Sequence, residues 1–129
     1  MRLIVAFAIA LGVTAAAPAA DVQHSPEAQA KLDKMLAGRV PGETRRCVAT
    51  DVITSAIGID DRTLLFKDGP RIWRTELKAS LECGKLGKQS FIHTESAAKR
   101  ICNGEHLEFS DGGIMGSCVF GDFTPYTKP

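Results

Sequence analysis

The sequence predicts a mainly-β domain: a small antiparallel β-barrel or sandwich stapled by two disulfides, with one short N-terminal helix. Three observations carry that expectation. From residue 44 onward, short runs rich in β-branched and aromatic residues alternate with glycine-bearing turn signals. Four cysteines, an even number, all fall in that part. A clear helical period among apolar residues occurs ahead of it. With 129 residues, 24% charged and 44% hydrophobic, the chain has room for one ordered domain. Its formal net charge of +1 supplies no basic field of the kind that holds nucleic acid, so no nucleic-acid partner is expected.

Residues 1–19 read as an export signal. Arg2 supplies the positive start, Leu3 to Leu11 form an apolar run, and Ala17 and Ala19 provide the small residues that a signal peptidase needs. The apolar run is shorter than the roughly 20 residues that span a bilayer, so no transmembrane segment is expected after cleavage behind Ala19. Removing 19 of the 129 residues leaves 110, and Arg2 is the only charge lost, so the mature chain is neutral. So small a core gains from covalent staples, and an oxidising compartment permits them.

Residues 20–43 hold the helix and a linker. Ser25 is a good N-cap, Pro26 suits the first helical position, and Glu27 complements the helix dipole. Ala28, Leu32, Met35 and Leu36 share one narrow apolar face, and Gly38 and Pro41-Gly42 end the segment near residue 37. With so thin a stripe, the helix is expected to dock loosely or to act as a tether.

Residues 44–129 form the β domain. Arg46 to Ile53 reads as the first strand, and Ala56 to Asp61 leads into a turn. Thr63 to Lys67 and Arg71 to Thr75 flank Asp68-Gly69-Pro70, a hairpin that folds Leu64 across from Trp73. Lys78 to Lys88 is expected to be a loop or one helical turn, Ser90 to Thr94 a strand, and Glu95 to Arg100 a helical turn. Asn103-Gly104 marks a tight turn. A second hairpin joins His106 to Ser110 with Ile114 to Phe120 around Asp111-Gly112-Gly113, bringing the face of Leu107 and Phe109 against that of Ile114, Cys118 and Phe120, with Cys118 pointing inward. Gly112, Gly113, Gly116 and Gly121 read as turn and bulge glycines. The tail from Thr124 to Pro129 is expected to lie extended over the surface.

Cys47, Cys83, Cys102 and Cys118 are separated by 36, 19 and 16 residues, with neither a Cys-x-x-Cys motif nor a zinc pattern. Structural disulfides follow. Of the three pairings, Cys47–Cys118 with Cys83–Cys102 is favoured, because the second hairpin sets Cys118 opposite residues 105 to 107 rather than opposite Cys102.

Candidate chemistry is sparse. His93, Glu95, His106 and Asp111 have metal-ligand side chains but no recognised spacing, so solvated surface groups are the default and no metal or other cofactor is expected. Ser117 lacks a nucleophile elbow, and Asp60-Asp61 falls in a turn where Asp is favoured anyway. Catalysis is therefore not expected. Lys67, Arg71, Arg74 and Lys78 form a local basic stretch, read either as strand charges that suppress aggregation or as an interaction patch for anionic polymers.

The order of motifs carries a resemblance. Cys47 is followed by Asp60-Asp61-x-Thr63-Leu64-Leu65-Phe66, by Arg71-Ile72-Trp73-Arg74, by Cys83-Gly84-Lys85-Leu86, by Ile101-Cys102-Asn103-Gly104-Glu105, and by Cys118-Val119-Phe120-Gly121-Asp122-Phe123-Thr124-Pro125. Over residues 44 to 126 this resembles a family of small exported bacterial proteins of unknown function with four cysteines in this order. The resemblance implies a bacterial exported product and brings no catalytic residues. Many such proteins are lipoproteins, and this chain lacks the lipidated Cys. The expectation is a monomeric module of the periplasm or extracellular space that binds an envelope protein or polymer. One alternative is an inhibitor of a wall-degrading or secreted enzyme, with Asp111-Gly112-Gly113 plugging a cleft. Small exported β-barrel lysozyme inhibitors have this size, but their Ser-Gly-x-x-Tyr pattern is missing here. The other alternative is a metal-binding protein or enzyme using His93, Glu95 and His106.

Overall fold

A computed structural model describes residues 23–88 and 99–129, together with Gly12. The expected export signal, the strand at Ser90 to Thr94 and most of the turn at Glu95 to Arg100 lie outside the described residues; Arg100 itself begins a strand.

Helix α1 spans Pro26–Leu36. The Ser25 hydroxyl accepts the Ala28 N–H at 3.2 Å, satisfying one of the donors that a helix start leaves open. Gly38 takes the left-handed φ of +71° that ends such segments cheaply. Eight strands follow: β1 (Val40–Pro41), β2 (Cys47–Ala49), β3 (Ser55–Gly58), β4 (Thr63–Asp68), β5 (Arg71–Leu81), β6 (Arg100–Cys102), β7 (His106–Asp111) and β8 (Ile114–Thr127). A 3-10 turn at Cys83–Lys85 follows β5. Among the described residues, no helix is long and apolar enough to cross a membrane.

The main sheet runs β1-β8-β5-β4-β3, with β7 also on β8, and all its pairs are antiparallel. The long strand β8 makes this possible: β5 lines one of its edges, while β7, an isolated bridge at Arg45 and then β1 pair with successive stretches of it. Strands β2 and β6 form a separate two-stranded ribbon. The sheet is open, because β1 and β3 end the ladder without pairing to each other. Of the two expected architectures the sandwich-like one therefore fits, and the closed barrel does not.

Apolar residues fill both faces. On one, Val48 and Ile101 of the ribbon pack with Leu64, Phe66, Trp73, Leu107, Phe120 and Phe123. On the other, Ala28 and Leu32 of α1 pack on Ile57, Ile59, Leu65 and Ile72, with Met35 and Leu36 at the margin. Strand β4 is covered on both sides, which is why Leu64, Leu65 and Phe66 read as a continuous apolar run. The helix is thus docked, not tethered. The His24 Nδ1–Asp60 Oδ2 contact at 2.5 Å and a Lys31 ammonium donating to the Gly58 carbonyl at 2.7 Å fasten it to the β3–β4 corner.

Four expectations are corrected. The first hairpin closes on Gly69-Pro70, pairing Asp68 with Arg71 and Leu64 with Thr75, so that Phe66, not Leu64, faces Trp73. Gly69 has φ +55° and Pro70 is confined to negative φ, the sign pattern of a II′ turn that matches strand twist. The shift is two residues, so each side chain keeps its face. Strand β5 continues to Leu81, through what reads as a loop. The tail is no surface strap but the end of β8, with Tyr126 paired to both Ile72 and Pro41.

The disulfide pairing is the fourth. Cys47 joins Cys102 and Cys83 joins Cys118, not Cys47–Cys118 and Cys83–Cys102. Cys118 does sit opposite Leu107, as the second hairpin requires. Two long-range pairings decide the rest. β2 and β6 set Cys47 directly across from Cys102. The extended β5 pairs Ser80 with Cys118, which delivers the 3-10 turn carrying Cys83 to it.

Candidate functional site

The second hairpin closes on Gly112 and Gly113, with φ of +59° and +88°, the double left-handed turn that suits twisted strands. Its strand β8 carries Cys118 and Phe120 into the ribbon-side core, so Met115, Ser117 and Val119 point to the opposite face. Cross-strand partners share a face, and the register therefore builds an outward array. His106, Val119 and Ala79 form one row, Glu108, Ser117 and Leu81 a second, and Ser110 with Met115 a third.

Two register shifts create this array. Between Thr75 and Leu77 the ladder skips a residue on β8, and between Leu77 and Ala79 it skips one on β5. The first lets Phe120 and Phe123, three positions apart, both enter the same core. Gly121 lies in that bulge, where an added Cβ would collide with the Glu76 carbonyl oxygen. The second turns Ala79 and Leu81 outward after Leu77 has packed inward. Leu81 is consequently 63% exposed and Met115 72% exposed, the two most exposed large apolar side chains among the described residues, with Ile114 beside the turn also exposed. Helix α1 covers the β3–β4–β5 part of this same sheet face, and the β5–β8–β7 part carries the array.

Sequence reasoning places His106 outward, and it is exposed. Met115 and Val119 were legible from alternation against Cys118. Leu81 was not, because Lys78 to Lys88 reads as a loop or one helical turn and a bulge has no strict signature.

The expected basic patch is divided. Arg71 lies on the ribbon side, its guanidinium 4.8 Å from the Trp73 ring centroid and bonded to Asp68 Oδ2 at 2.6 and 2.9 Å. Asp68 also accepts the Trp73 indole N–H at 3.1 Å. Lys67 and Arg74 belong to the helix side by alternation, and Lys78 sits at the β5 bulge. Arg74 donates to Glu76 at 2.6 Å, and Glu76 in turn accepts the buried Thr63 hydroxyl at 2.6 Å. Burial would lower the Arg74 pKa, but the Glu76 carboxylate and Tyr126 more than offset this and raise it.

A second polar cluster holds the α1 corner. The His24 side chain is only 2% exposed, and its Nε2 has no hydrogen-bond partner among the described residues. Asp60 Oδ1 accepts the N–H groups of Arg62 and Thr63 at 2.8 and 3.0 Å, the local turn chemistry its sequence position suggests. Burial pushes the Asp60 carboxyl up, yet the His24 contact and these two N–H groups prevail and hold it below its ordinary 3.8. Asp61 Oδ1 accepts the Gly84 N–H at 3.0 Å, tying the same loop to the 3-10 turn.

Of the four candidate metal ligands, His93 and Glu95 lie outside the described residues. Among the described residues, no group of three or more His, Cys, Asp or Glu side chains is placed to hold a metal ion. Comparison with protein-family models, with curated proteins and with solved structures returns no match for this chain.

Proposed function

We propose that this chain is an exported bacterial protein of the four-cysteine type, acting as a non-catalytic binding module of the cell envelope. The apolar leader and the two disulfides support export, since such bridges persist in oxidising compartments. The single observation that carries the binding role is the outward array of β5, β8 and β7, where Leu81 and Met115 stand exposed beside His106 and Glu108. An apolar centre with a polar rim is the ordinary composition of a protein-binding surface.

The test has two arms. Expressed in full in a bacterium, the chain is recovered outside the cytoplasm, cleaved behind Ala19 and four hydrogens lighter than its reduced mass; an uncleaved cytoplasmic product sinks the export reading. Immobilised oxidised protein then retains a component of envelope extract that the Leu81→Asp/Met115→Asp variant does not. Equal retention by both removes this surface from consideration.

The exposed Gly112-Gly113 tip, flanked by Ile114 and Met115, favours one second reading, inhibition of a wall-degrading or secreted enzyme by insertion of the hairpin. Inhibition lost on lengthening the tip, with folding retained, is the outcome that reading requires.

A further inference from the structure

The two disulfides differ in what governs thiol exchange. Cys83 and Cys118 are both 0% exposed within the ribbon-side core, beyond the reach of an attacking thiolate while the domain is folded. Cys47 and Cys102 are half-buried on the ribbon. The Asn103 N–H donates to the Arg46 carbonyl at 2.8 Å and the Thr50 N–H to the Lys99 carbonyl at 2.9 Å. These mark alternate positions as hydrogen-bonded pairs, so Cys47 and Cys102 form the closer, non-hydrogen-bonded kind, with Cα atoms 4.0 Å apart. Val48 and Ile101, one step along, point into the core and are buried. The bridge therefore lies on the outer side of a ribbon whose inner side covers Phe66, Trp73 and Phe120.

Four cations flank the outer bridge in sequence. Arg45, Arg46, Lys99 and Arg100 are exposed and flank it, and Arg100, paired with Ala49, shares its face. Among the described residues two carboxylates also lie close: Glu105 accepts the Cys102 N–H at 2.8 Å, and Asp122 accepts the side-chain amide of the neighbouring Asn103 at 2.7 Å. Surrounding cations favour thiolates, both the attacking one and the one that leaves. Two strands of three residues each have little stability of their own once unbridged.

We propose that Cys47–Cys102 is a redox switch, opened by a dithiol reductant while Cys83–Cys118 stays closed. One thiolate of the dithiol attacks a bridge sulfur, forming a mixed disulfide and expelling the other cysteine as a thiolate. The second thiol of the reductant then resolves the mixed disulfide. The dithiol leaves as a disulfide, and Cys47 and Cys102 gain the two electrons and two protons as thiols. The ribbon then loosens and uncovers the aromatic core face beneath it. The proposal is independent of what the β5–β8–β7 array binds.

The experiment uses the oxidised chain with dithiothreitol as the probe, trapping thiols with an alkylating reagent and locating them by peptide mass. Cys47 and Cys102 are expected to be labelled at about tenfold less reductant than Cys83 and Cys118. In the half-reduced protein, amide exchange rises at Val48, Ala49 and Ile101 while β4, β5 and β8 stay protected. Labelling of all four cysteines together, earlier labelling of Cys83 and Cys118, or an unaltered ribbon after selective reduction would overturn the switch. The Cys47→Ser/Cys102→Ser variant is expected to show the open exchange pattern without reductant, and a protected ribbon there overturns it equally.

Discussion

The two faces of one sheet are closed in different ways. On one, α1 lays Ala28 and Leu32 against Ile57, Ile59, Leu65 and Ile72, with no covalent tie. On the other, a ribbon of two three-residue strands covers Phe66, Phe120 and Phe123, whose ring centroids stand 5.8 to 6.1 Å apart, and both disulfides lie on that side. The difference follows from backbone hydrogen bonding. A helix satisfies its own N–H and C=O groups within the segment, so side-chain burial and two polar anchors, at His24 and Lys31, suffice to hold it. Short strands satisfy theirs only with each other, and their closure must come from outside the ladder. Cys47–Cys102 closes the ribbon, while Cys83–Cys118 pins the 3-10 turn to β8.

Breaking the aromatic face should cost most. Phe120→Ala removes a ring that contacts both Phe66 and Phe123 and is expected to destabilise the domain by about 3–5 kcal/mol, read as a fall in urea midpoint. A loss under about 1 kcal/mol would mean that the ring cluster is not the main source of stability. Next comes the helix face. Leu32→Ala should cost about 2–3 kcal/mol, with amide exchange rising in α1 but not at Val48 or Ile101. Equal loosening of both covers would show that the two faces are one cooperative unit.

The smallest effect concerns the corner anchor. Asp60→Asn weakens a charge-assisted contact with His24 and is expected to cost about 1.5 kcal/mol. Its pH dependence has a definite sign. The folded carboxyl is held below 3.8, so its contribution is complete above that value and is lost as pH falls through the lower, folded one. Chemical denaturation between pH 6 and pH 2 should therefore show a steeper acid decline for the wild type than for Asp60→Asn. Parallel curves would remove this pair from the acid response.

How much of this was legible varies by element. Ser25, Pro26 and the Ala28–Leu32 spacing located α1 to within a residue, because caps and helical period are local properties. Gly112-Gly113 set the second hairpin and Asn103-Gly104 the turn before it, for the same reason. The single residue that β5 gains near Lys78 was not legible, and with it went the outward turn of Leu81, the central feature of the candidate surface. Nor did Val40 and Pro41, in what reads as a linker, announce that they would pair with the chain's last strand.

The sequence by itself determined the even set of cysteines, the helix with its cap, the hairpin turns and the inward alternation of Leu107, Cys118 and Phe120. Each depends on residues within a few positions of one another, where backbone geometry leaves few choices. Tertiary structure alone decided that Cys47 would meet Cys102 and Cys83 would meet Cys118, across separations of 55 and 35 residues. Loop closure over such spans changes only slowly with length, so spacing hardly favours one pairing over another. What selects among them is which strands come to lie side by side, and that is settled by the packing of the whole sheet.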